Sequence, residues 1–281
     1  MTDNVLHEDT PRRERHSVSR VLPWLVGALL VILLAVLWIS APPGILGKAH
    51  MLGYAVCHQI ESHSFVLGGR ALPLCARCTG TFIGAMVGLF GQAVILRRHR
   101  AAGFPPAVIL AVLISFTFLW AADGVNSYLA LVGGPHAYEP LNALRLATGA
   151  LNGLTMSALI LPVVNISLWR QPLDAPAIQG GRDILLLVLL EMAFVGVVLS
   201  GADWLLYPLS VLGGAAVLVL LGSVNTVLAV VVVGRENTIE TWRQALLPLA
   251  VGLLLALIQV SAIDLVRYRL TGTLEGLPIG F

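Results

Sequence analysis

Long uncharged apolar runs, separated by short polar segments, set the pattern of this chain. Six runs contain no charged residue, and a seventh is interrupted only by Glu191. A helix needs roughly 20 apolar residues to cross the hydrocarbon core of a bilayer, and these runs are about that long. The chain is therefore predicted to have about seven membrane spans. They lie at residues 21–42, 79–96, 101–122, 146–169, 184–202, 205–234 and 245–263.

Composition supports the same fold class. Hydrophobic residues make up 57% of the chain and charged residues only 11%, far from the average of soluble domains. In lipid every backbone polar group needs an internal partner, and a helix supplies that partner within each span. The prediction is an all-α polytopic transmembrane helical bundle, multi-pass in the cell membrane, with the lipid bilayer as its main partner.

Basic residues predict the orientation of the bundle. With the amino terminus inside, seven spans place eleven of the 17 Lys and Arg residues on the inner side, in agreement with the positive-inside rule. Residues 43–78, residues 123–145 and the tail after Asp264 then face the extracytoplasmic side. The first apolar run exceeds the roughly 7–15 residues of a secretory signal, so we expect it to be retained as an anchor.

The chain divides into three predicted parts. Residues 1–18 are polar and form a disordered cytoplasmic tail. Residues 19–170 form a site-bearing membrane core that holds every cysteine, and residues 171–281 form supporting membrane helices. Glycines recur at four-residue spacing in the second and fourth predicted spans, a pattern that favours close helix packing. These glycines are Gly80, Gly84, Gly88, Gly149 and Gly153.

All three cysteines fall within one short segment between the first two spans. Cys57 precedes His58, and Cys75 and Cys78 form a CxxC pair. Three thiols and an imidazole are a ligand set of tetrahedral Zn²⁺, because thiolates and neutral imidazole suit this borderline-soft ion. The predicted ligands of zinc or another soft metal are Cys57, His58, Cys75 and Cys78. His63 is a weaker substitute for His58.

The same cysteines support two other interpretations. Cys75 and Cys78 precede the second span, where the helix dipole and Arg77 favour the thiolate. A membrane thiol–disulfide oxidoreductase would use this pair, with Cys57 as a third, resolving thiol. A structural disulfide that leaves one cysteine over is the third interpretation, since an extracytoplasmic location permits disulfides. The spacing of the residues leaves all three open.

A second group of polar residues lies near the ends of the third and fourth predicted spans. Asp123 ends the third span, and Arg145 opens the fourth. In one interpretation this pair orients a substrate or an anion beside the cysteines, or Asp123 acts as a proton acceptor. In the other, the two residues form an interfacial salt bridge between two helix ends. Glu191, inside the fifth predicted span, is a candidate for proton transfer. The catalytic candidates are thus Asp123, Arg145 and Glu191.

Several function classes remain open and others are excluded. The sequence does not decide between an enzyme, either metal-assisted or thiol-redox, and a structural metal module that recruits another membrane or extracytoplasmic protein. A net charge of +2 without a basic stripe argues against a nucleic-acid partner. The chain has no HExxH motif and no glycine-rich phosphate-binding loop.

The segment around the cysteines carries a family resemblance. The string CHQIESHSFVLGGRALPLCARCTG resembles the signature of domain-of-unknown-function family 2085, a prokaryotic family of predicted membrane proteins. The similarity extends over about residues 41–153, and it implies a membrane fold with a site at the cysteines. Where the family has Pro and Arg, this chain has other residues. They are Glu61, Ser62 and His63.

Overall fold

The fold is a bundle of long helices. The computed structural model describes the backbone of residues 11–273 and the side chains of residues 21–273. Eight α-helices account for most of this part of the chain. They are α1 Pro11–Ser40, α2 Gly44–Tyr54, α3 Ala76–Phe90, α4 Ala107–Leu131, α5 Asn142–Leu168, α6 Gly181–Leu199, α7 Leu206–Val233 and α8 Trp242–Thr271. Of the predicted disordered tail, residues 1–10 lie outside the described residues, and α1 includes the rest.

Short elements join the helices. A hairpin pairs β1 (Val66–Leu67) with β2 (Arg70–Ala71), and a parallel pair joins β3 (Ala101–Gly103) to β4 (Leu173–Pro176). A π-helical turn continues α3, and two 3₁₀ turns complete the set. These turns are Gly91–Ile95, Glu61–His63 and Asp203–Leu205.

Six helices of the described residues are long and apolar enough to cross a membrane, and the two that are not are the short helix α2 and α6. Helix α6 has 19 residues and is apolar except for three charged residues, Arg182, Asp183 and Glu191. Its ends nevertheless reach opposite ends of the bundle. Asp183 contacts Arg98 at one end, and Asp203, just beyond α6, accepts a hydrogen bond from the β1–β2 turn at the other. These contacts support a crossing by α6, and the predicted transmembrane helical bundle is confirmed.

Large apolar side chains cover much of the exterior. On α1, Trp24 and Ile39 are each 81% exposed, and such a continuous apolar surface is suited to lipid and would be unfavourable in water. Inside the bundle, buried Ile and Leu side chains of α3 and α5 pack against α6 and α7. The bilayer is therefore the expected solvent of this surface.

Helices α3 and α5 cross with their backbones in contact, as their glycine spacing predicts. A Cβ atom on Gly80 would lie 2.3 Å from the carbonyl oxygen of Leu146, and a Cβ on Gly153 would lie 2.5 Å from the carbonyl oxygen of Thr81. Side chains larger than hydrogen cannot fit at these positions. The crossing therefore fixes the position of the first turn of α3, which contains Cys78, relative to α5.

Two helices run beyond their predicted ends. The third predicted span ended at residue 122, but α4 continues through Asp123 to Leu131. The seventh ended at residue 263, but α8 continues to Thr271 and buries Asp264. In both cases a charged residue marks the end of the uncharged run without ending the helix. Inside the predicted loop of residues 43–78, moreover, the chain forms α2 and the β1–β2 hairpin.

Polar segments gather at the two ends of the bundle. The cysteine end comprises the α2–α3 connection, the α4–α5 loop, the Asp203 turn and the last turns of α8. The strand end comprises the β3–β4 pair, the Arg98–Asp183 contact and a bridge between Trp169 and Ile239. The segments that were predicted to lie on one side of the membrane, residues 43–78, residues 123–145 and the tail after Asp264, therefore share one end of the molecule.

Candidate metal centre

The segment after α2 is held against the residues before α3. The backbone N–H of Cys57 donates to the carbonyl oxygen of Gly53 at 2.9 Å. The Gln59 side-chain amide donates to the carbonyl oxygens of His50 and Pro73, each at 2.8 Å. Gln59 has a φ of 53°, which is uncommon for a residue with a side chain. These two hydrogen bonds explain how the Cys57 turn is kept in that conformation.

Backbone N–H groups point at the cysteine sulfurs. Cys57 Sγ accepts from the N–H groups of Cys75 at 3.2 Å and of Gln59 at 3.5 Å, and Cys75 Sγ accepts from that of Cys78 at 3.5 Å. All three cysteines are free. N–H donors stabilise a thiolate and therefore favour metal ligation or nucleophilic attack.

The three thiols lie close enough to hydrogen-bond one another. Hydrogen bonds from the thiols of Cys75 and then Cys78 place the pKa of Cys57 well below its usual range, although burial opposes the shift. Cys75 is the N-cap of α3 with an extended backbone, and Cys78 occupies the first turn of the helix. The CxxC pair thus presents both sulfurs at the positive end of the α3 dipole.

His58 completes a group of potential ligands. Ligand atoms of Cys57, His58 and Cys75 all lie within 4.8 Å of one another. In tetrahedral zinc sites, with bonds of about 2.0–2.3 Å, ligand atoms are about 3.3–3.8 Å apart, so contraction by about 1 Å gives the required geometry. His58 Nδ1 already accepts a hydrogen bond from the Ile60 N–H at 3.0 Å. A metal bound through this ring would compete with that bond.

His63 lies behind His58. Their ring centroids are 5.3 Å apart in an edge-to-face contact. Burial, followed by repulsion from Arg145, lowers the pKa of His63 to about 4. The ring is therefore neutral at physiological pH, which is compatible with its predicted role as a substitute ligand.

Asp123 forms an ion pair with Arg77 of the CxxC segment. Arg77 Nη2 contacts the Asp123 carboxylate and donates to its backbone oxygen at 3.0 Å and to Ser127 Oγ at 2.9 Å. The hydroxyl of Tyr138 donates to the second carboxylate oxygen at 2.9 Å. Asp123 is only 2% exposed. Its charge therefore locks the first turn of α3 to α4.

Arg145 takes a different place from the one predicted. It donates to Ser127 Oγ at 3.3 Å and to Asn142 Oδ1 at 2.7 Å. The predicted ion pair between Asp123 and Arg145 is thus wrong, because Arg77 occupies the carboxylate. The predicted neighbourhood holds, since Asn142 also donates to the carbonyl oxygen of Ser62 at 3.1 Å, beside the turn that contains His63.

Arg267, near the end of α8, is a site residue that the sequence did not reveal. Its Nη1 donates to the carbonyl oxygens of Tyr54 and, at 2.7 Å, of Cys57, and the guanidinium lies over the Tyr54 ring at 3.8 Å from its centroid. The sequence placed Arg267 in a tail after Asp264. The apolar residues Leu265, Val266 and Leu270 interleaved with the arginines were the signal for a longer helix.

Glu191 lies apart from the cysteines. Its carboxylate packs against Gly84 of α3, and Gly84 is nine residues from Cys75, or about 13 Å along the helix axis. The side chain is fully buried, and neither of its oxygens has a hydrogen-bond partner among the described residues. The structure therefore brings Asp123 and Arg145 close to the cysteines but does not bring Glu191 there.

Comparisons with known proteins find relatives that match a little over a third of the chain. Over 108 residues the chain is 30% identical to uncharacterized protein MJ1492 of Methanocaldococcus jannaschii, a match that covers 38% of this chain and 63% of that relative. Over 105 residues it is 30% identical to an uncharacterized protein of Methanothermobacter thermautotrophicus, covering 37% of this chain and 83% of that relative. The chain thus spans less than two thirds of the first relative's length. No solved structure matches.

A family model described as predicted membrane protein, DUF2085, matches residues 57–159. This range begins at Cys57, contains all three cysteines and ends within α5, whereas the resemblance in the sequence suggested an earlier start at residue 41. On the strength of this match and of the relatives, the chain belongs to the DUF2085 family of predicted membrane proteins.

Proposed function

We propose that the chain binds zinc, or a similarly soft metal ion, at the extracytoplasmic face of the membrane. The observation that carries the proposal is the convergence of ligand atoms from Cys57, His58 and Cys75 within 4.8 Å of one another. Cys78, whose thiol contacts the Cys57 thiol, is the fourth proposed ligand. N–H donors to two of the sulfurs are the outer contacts that metal-bound thiolates commonly have.

The charges around the cysteines favour ionised thiols. Arg77, Arg145 and Arg267 lie beside the three cysteines, and among the described residues only one of these arginines is paired with a carboxylate, that of Asp123. Buried charge is stable only when it is compensated nearby. The surplus of positive charge therefore supports thiolates, the form of cysteine that ligates a metal ion.

The role of the metal follows from its coordination. With His58 and all three cysteines as ligands, the coordination shell has four members and is closed. A closed shell favours a structural centre that stiffens the cysteine end and presents it to another membrane or extracytoplasmic protein. Both carboxylate oxygens of Asp123 already accept hydrogen bonds. This favours a role for Asp123 in positioning Arg77 over a role as a free general base. The part comprising residues 19–170 would then bear the site, and residues 171–281 would support it.

The competing function is a thiol–disulfide oxidoreductase. The observation that favours it is that two backbone N–H groups donate to Cys57 Sγ beside two further free thiols, since such donors stabilise a thiolate and a thiolate is the attacking species in exchange. Joining two of these thiols in a disulfide releases two protons and two electrons. An acceptor, either a quinone or the disulfide of a partner protein, must take the electrons.

Metal analysis and thiol counting separate the two functions. The protein is purified in detergent under reducing conditions, and its metal content is measured beside that of a Cys75→Ser/Cys78→Ser variant. Near-stoichiometric metal in the wild type and its loss in the variant support the metal centre. Metal-free protein with a disulfide that exchanges readily would instead establish the oxidoreductase. A Ser200→Ala variant, changed at an exposed position at the end of α6, controls for purification losses.

The proposed side of the membrane has its own test. A membrane-impermeant maleimide is applied to intact cells that express the metal-stripped protein, and labelled thiols are identified by mass spectrometry. Labelling of Cys78, the most exposed of the three thiols, supports the extracytoplasmic location. Labelling that requires broken cells would place the site on the inner side.

A further inference from the structure

Glu191 is the starting point, because it is a buried acid without a partner. It is 0% exposed in the middle of α6, and both carboxylate oxygens lack hydrogen bonds among the described residues. Nearly all buried polar groups in proteins have a partner, and an ionised carboxylate is the least tolerable exception in a membrane core. A protonated carboxylic acid avoids the buried charge.

No charged group in the elements packed against Glu191 reaches it. These elements are α3, the π-helical turn and α5, and buried side chains of α4 and α7 also pack on α6. The charged group on α4 is Asp123, which is paired with Arg77 at the cysteine end, and α7 has no charged residue. On α3 the titratable groups are Arg77 and Cys78, and on α5 the charged group is Arg145, all near the cysteine end. The π-helical turn has none, and Arg182 and Asp183 of α6 itself lie at the strand end. Neither hydrogen bonds nor ion pairs in the described residues connect Glu191 to any of these groups.

Two other buried polar side chains follow the glycine face of α3, Thr81 in α3 and Gln92 in the π-helical turn that continues it. Together with Gly84 and Gly88 they recur at spacings of three, four and four residues, which places them on one side of the helix. Thr81 Oγ1 and Gln92 Oε1 are buried and also lack partners among the described residues.

The face continues from Glu191 toward the strand end. Glu191 packs at Gly84, and Ser157 Oγ packs at Gly88 and accepts a hydrogen bond from Gln92 at 2.9 Å. From Thr81 to Gln92 the polar face extends about 16 Å. It connects the neighbourhood of the cysteines with that of the Arg98–Asp183 ion pair.

From this arrangement we propose that Glu191 is a proton-binding site in the membrane core, loaded and unloaded along the polar face of α3. The carboxylate accepts a proton from a hydronium ion and becomes a neutral acid, and the reverse step returns the proton to water. Thr81 leads toward the cysteine end, and Ser157 with Gln92 leads toward the strand end. The site requires no metal and is independent of the function proposed for the cysteines.

Infrared difference spectroscopy tests the protonation state. The spectrum of Glu191→Gln is subtracted from that of the wild type, both at neutral pH in lipid. We expect a carbonyl band of a protonated carboxylic acid that is absent from the variant and retained in Asp264→Asn, which removes the other unpartnered buried acid. A carboxylate band in place of the acid band would overturn the proposal, as would replacement of the acid band on addition of sodium ions, which would indicate a cation site.

Exchange with heavy water tests the path. The acid band of the wild type shifts when the water is replaced by D₂O, and Thr81→Val or Gln92→Leu should slow this shift severalfold. Thr226→Val is the matched control, since Thr226 is a buried threonine of α7 that bonds Gly222 and lies off the path. Equal exchange rates in all variants would contradict the path. If Glu191→Gln does not fold, the wild-type acid band and its loss at high pH carry the same test.

Discussion

Two buried acids in this bundle have opposite surroundings. Asp123 meets an arginine, a tyrosine hydroxyl and a helix that carries the cysteines, whereas Glu191 meets glycine and apolar side chains and has no partner among the described residues. A charge on the first acid is therefore compensated by Arg77, whereas a charge on the second would be buried without compensation. In the sequence, both acids are charged residues next to or within an apolar run, and in the fold both are buried. Only their partners distinguish them, so burial alone does not indicate what a membrane carboxylate does.

The largest expected effect tests this contrast directly. Asp123→Asn leaves the Arg77 side chain, which is only 18% exposed, without its counter-charge, and the free energy of unfolding should fall by about 3–5 kcal/mol. Glu191→Gln replaces a neutral acid with a neutral amide and should change it by less than about 1 kcal/mol. Unfolding in mixed micelles by titration with sodium dodecyl sulfate measures both. Glu240→Gln, which removes the exposed ion pair with Arg170, is the control.

If Asp123→Asn and Glu191→Gln lowered the free energy of unfolding equally, the contrast between the two acids would be contradicted. That result would mean that Glu191 is also charged and paired.

Arg267 gives the next largest effect. Arg267→Gln removes the donors to the Tyr54 and Cys57 carbonyl oxygens, and outer contacts of this kind typically change metal affinity by about 10- to 100-fold. Competition with a chelator measures the affinity. Arg269→Gln, two residues along α8, is the control and should bind metal as the wild type does. Unchanged affinity in Arg267→Gln would show that α8 only covers the site.

The third prediction concerns helix packing and compares a glycine at the α3–α5 crossing with one that has open space beside it. Gly153→Ala places a methyl group 2.5 Å from backbone atoms of α3 and should lower the free energy of unfolding by about 1–3 kcal/mol. Gly196→Ala on α6 has no atom within 4 Å of the new methyl and should be neutral or stabilising by up to about 1 kcal/mol. The same micelle titration distinguishes them. Similar results for both would mean that the two helices separate readily.

The smallest effect concerns acid sensitivity at the cysteine end. Burial lowers the pKa of His50, which bonds the backbone of Ala71. The unfolded chain, with a His pKa of about 6.5, therefore binds a proton more readily than the folded chain. Stability contributed by His50 is present above about pH 6.5 and is lost as the pH falls below it. His50→Gln should narrow the difference in melting temperature between neutral and mildly acidic buffer, and an unchanged difference would exclude His50 as its source.

Much of the fold and the location of the site could be predicted from the sequence. The lengths of the apolar runs predicted a bundle of membrane-spanning helices, and the glycine spacing predicted close packing of the helices that became α3 and α5. Both features can be seen in the local sequence. The interleaved apolar residues after Asp264 were a signal for the longer α8, but the partners of two charged residues could not be predicted, since Asp123 pairs with Arg77, 46 residues away, and Arg267 contacts Cys57 across 210 residues. Pairings of that kind are properties of the folded chain.

The contact between Arg267 and Cys57 also has a consequence for biosynthesis. Cys57 is synthesised 210 residues before its guanidinium partner, which at about 5–20 residues per second corresponds to roughly 10–40 s. During that interval α8 is absent, and the cysteine turn lacks the helix that covers it. The thiols are then most open to solvent, and to oxidation, before translation of the chain is complete.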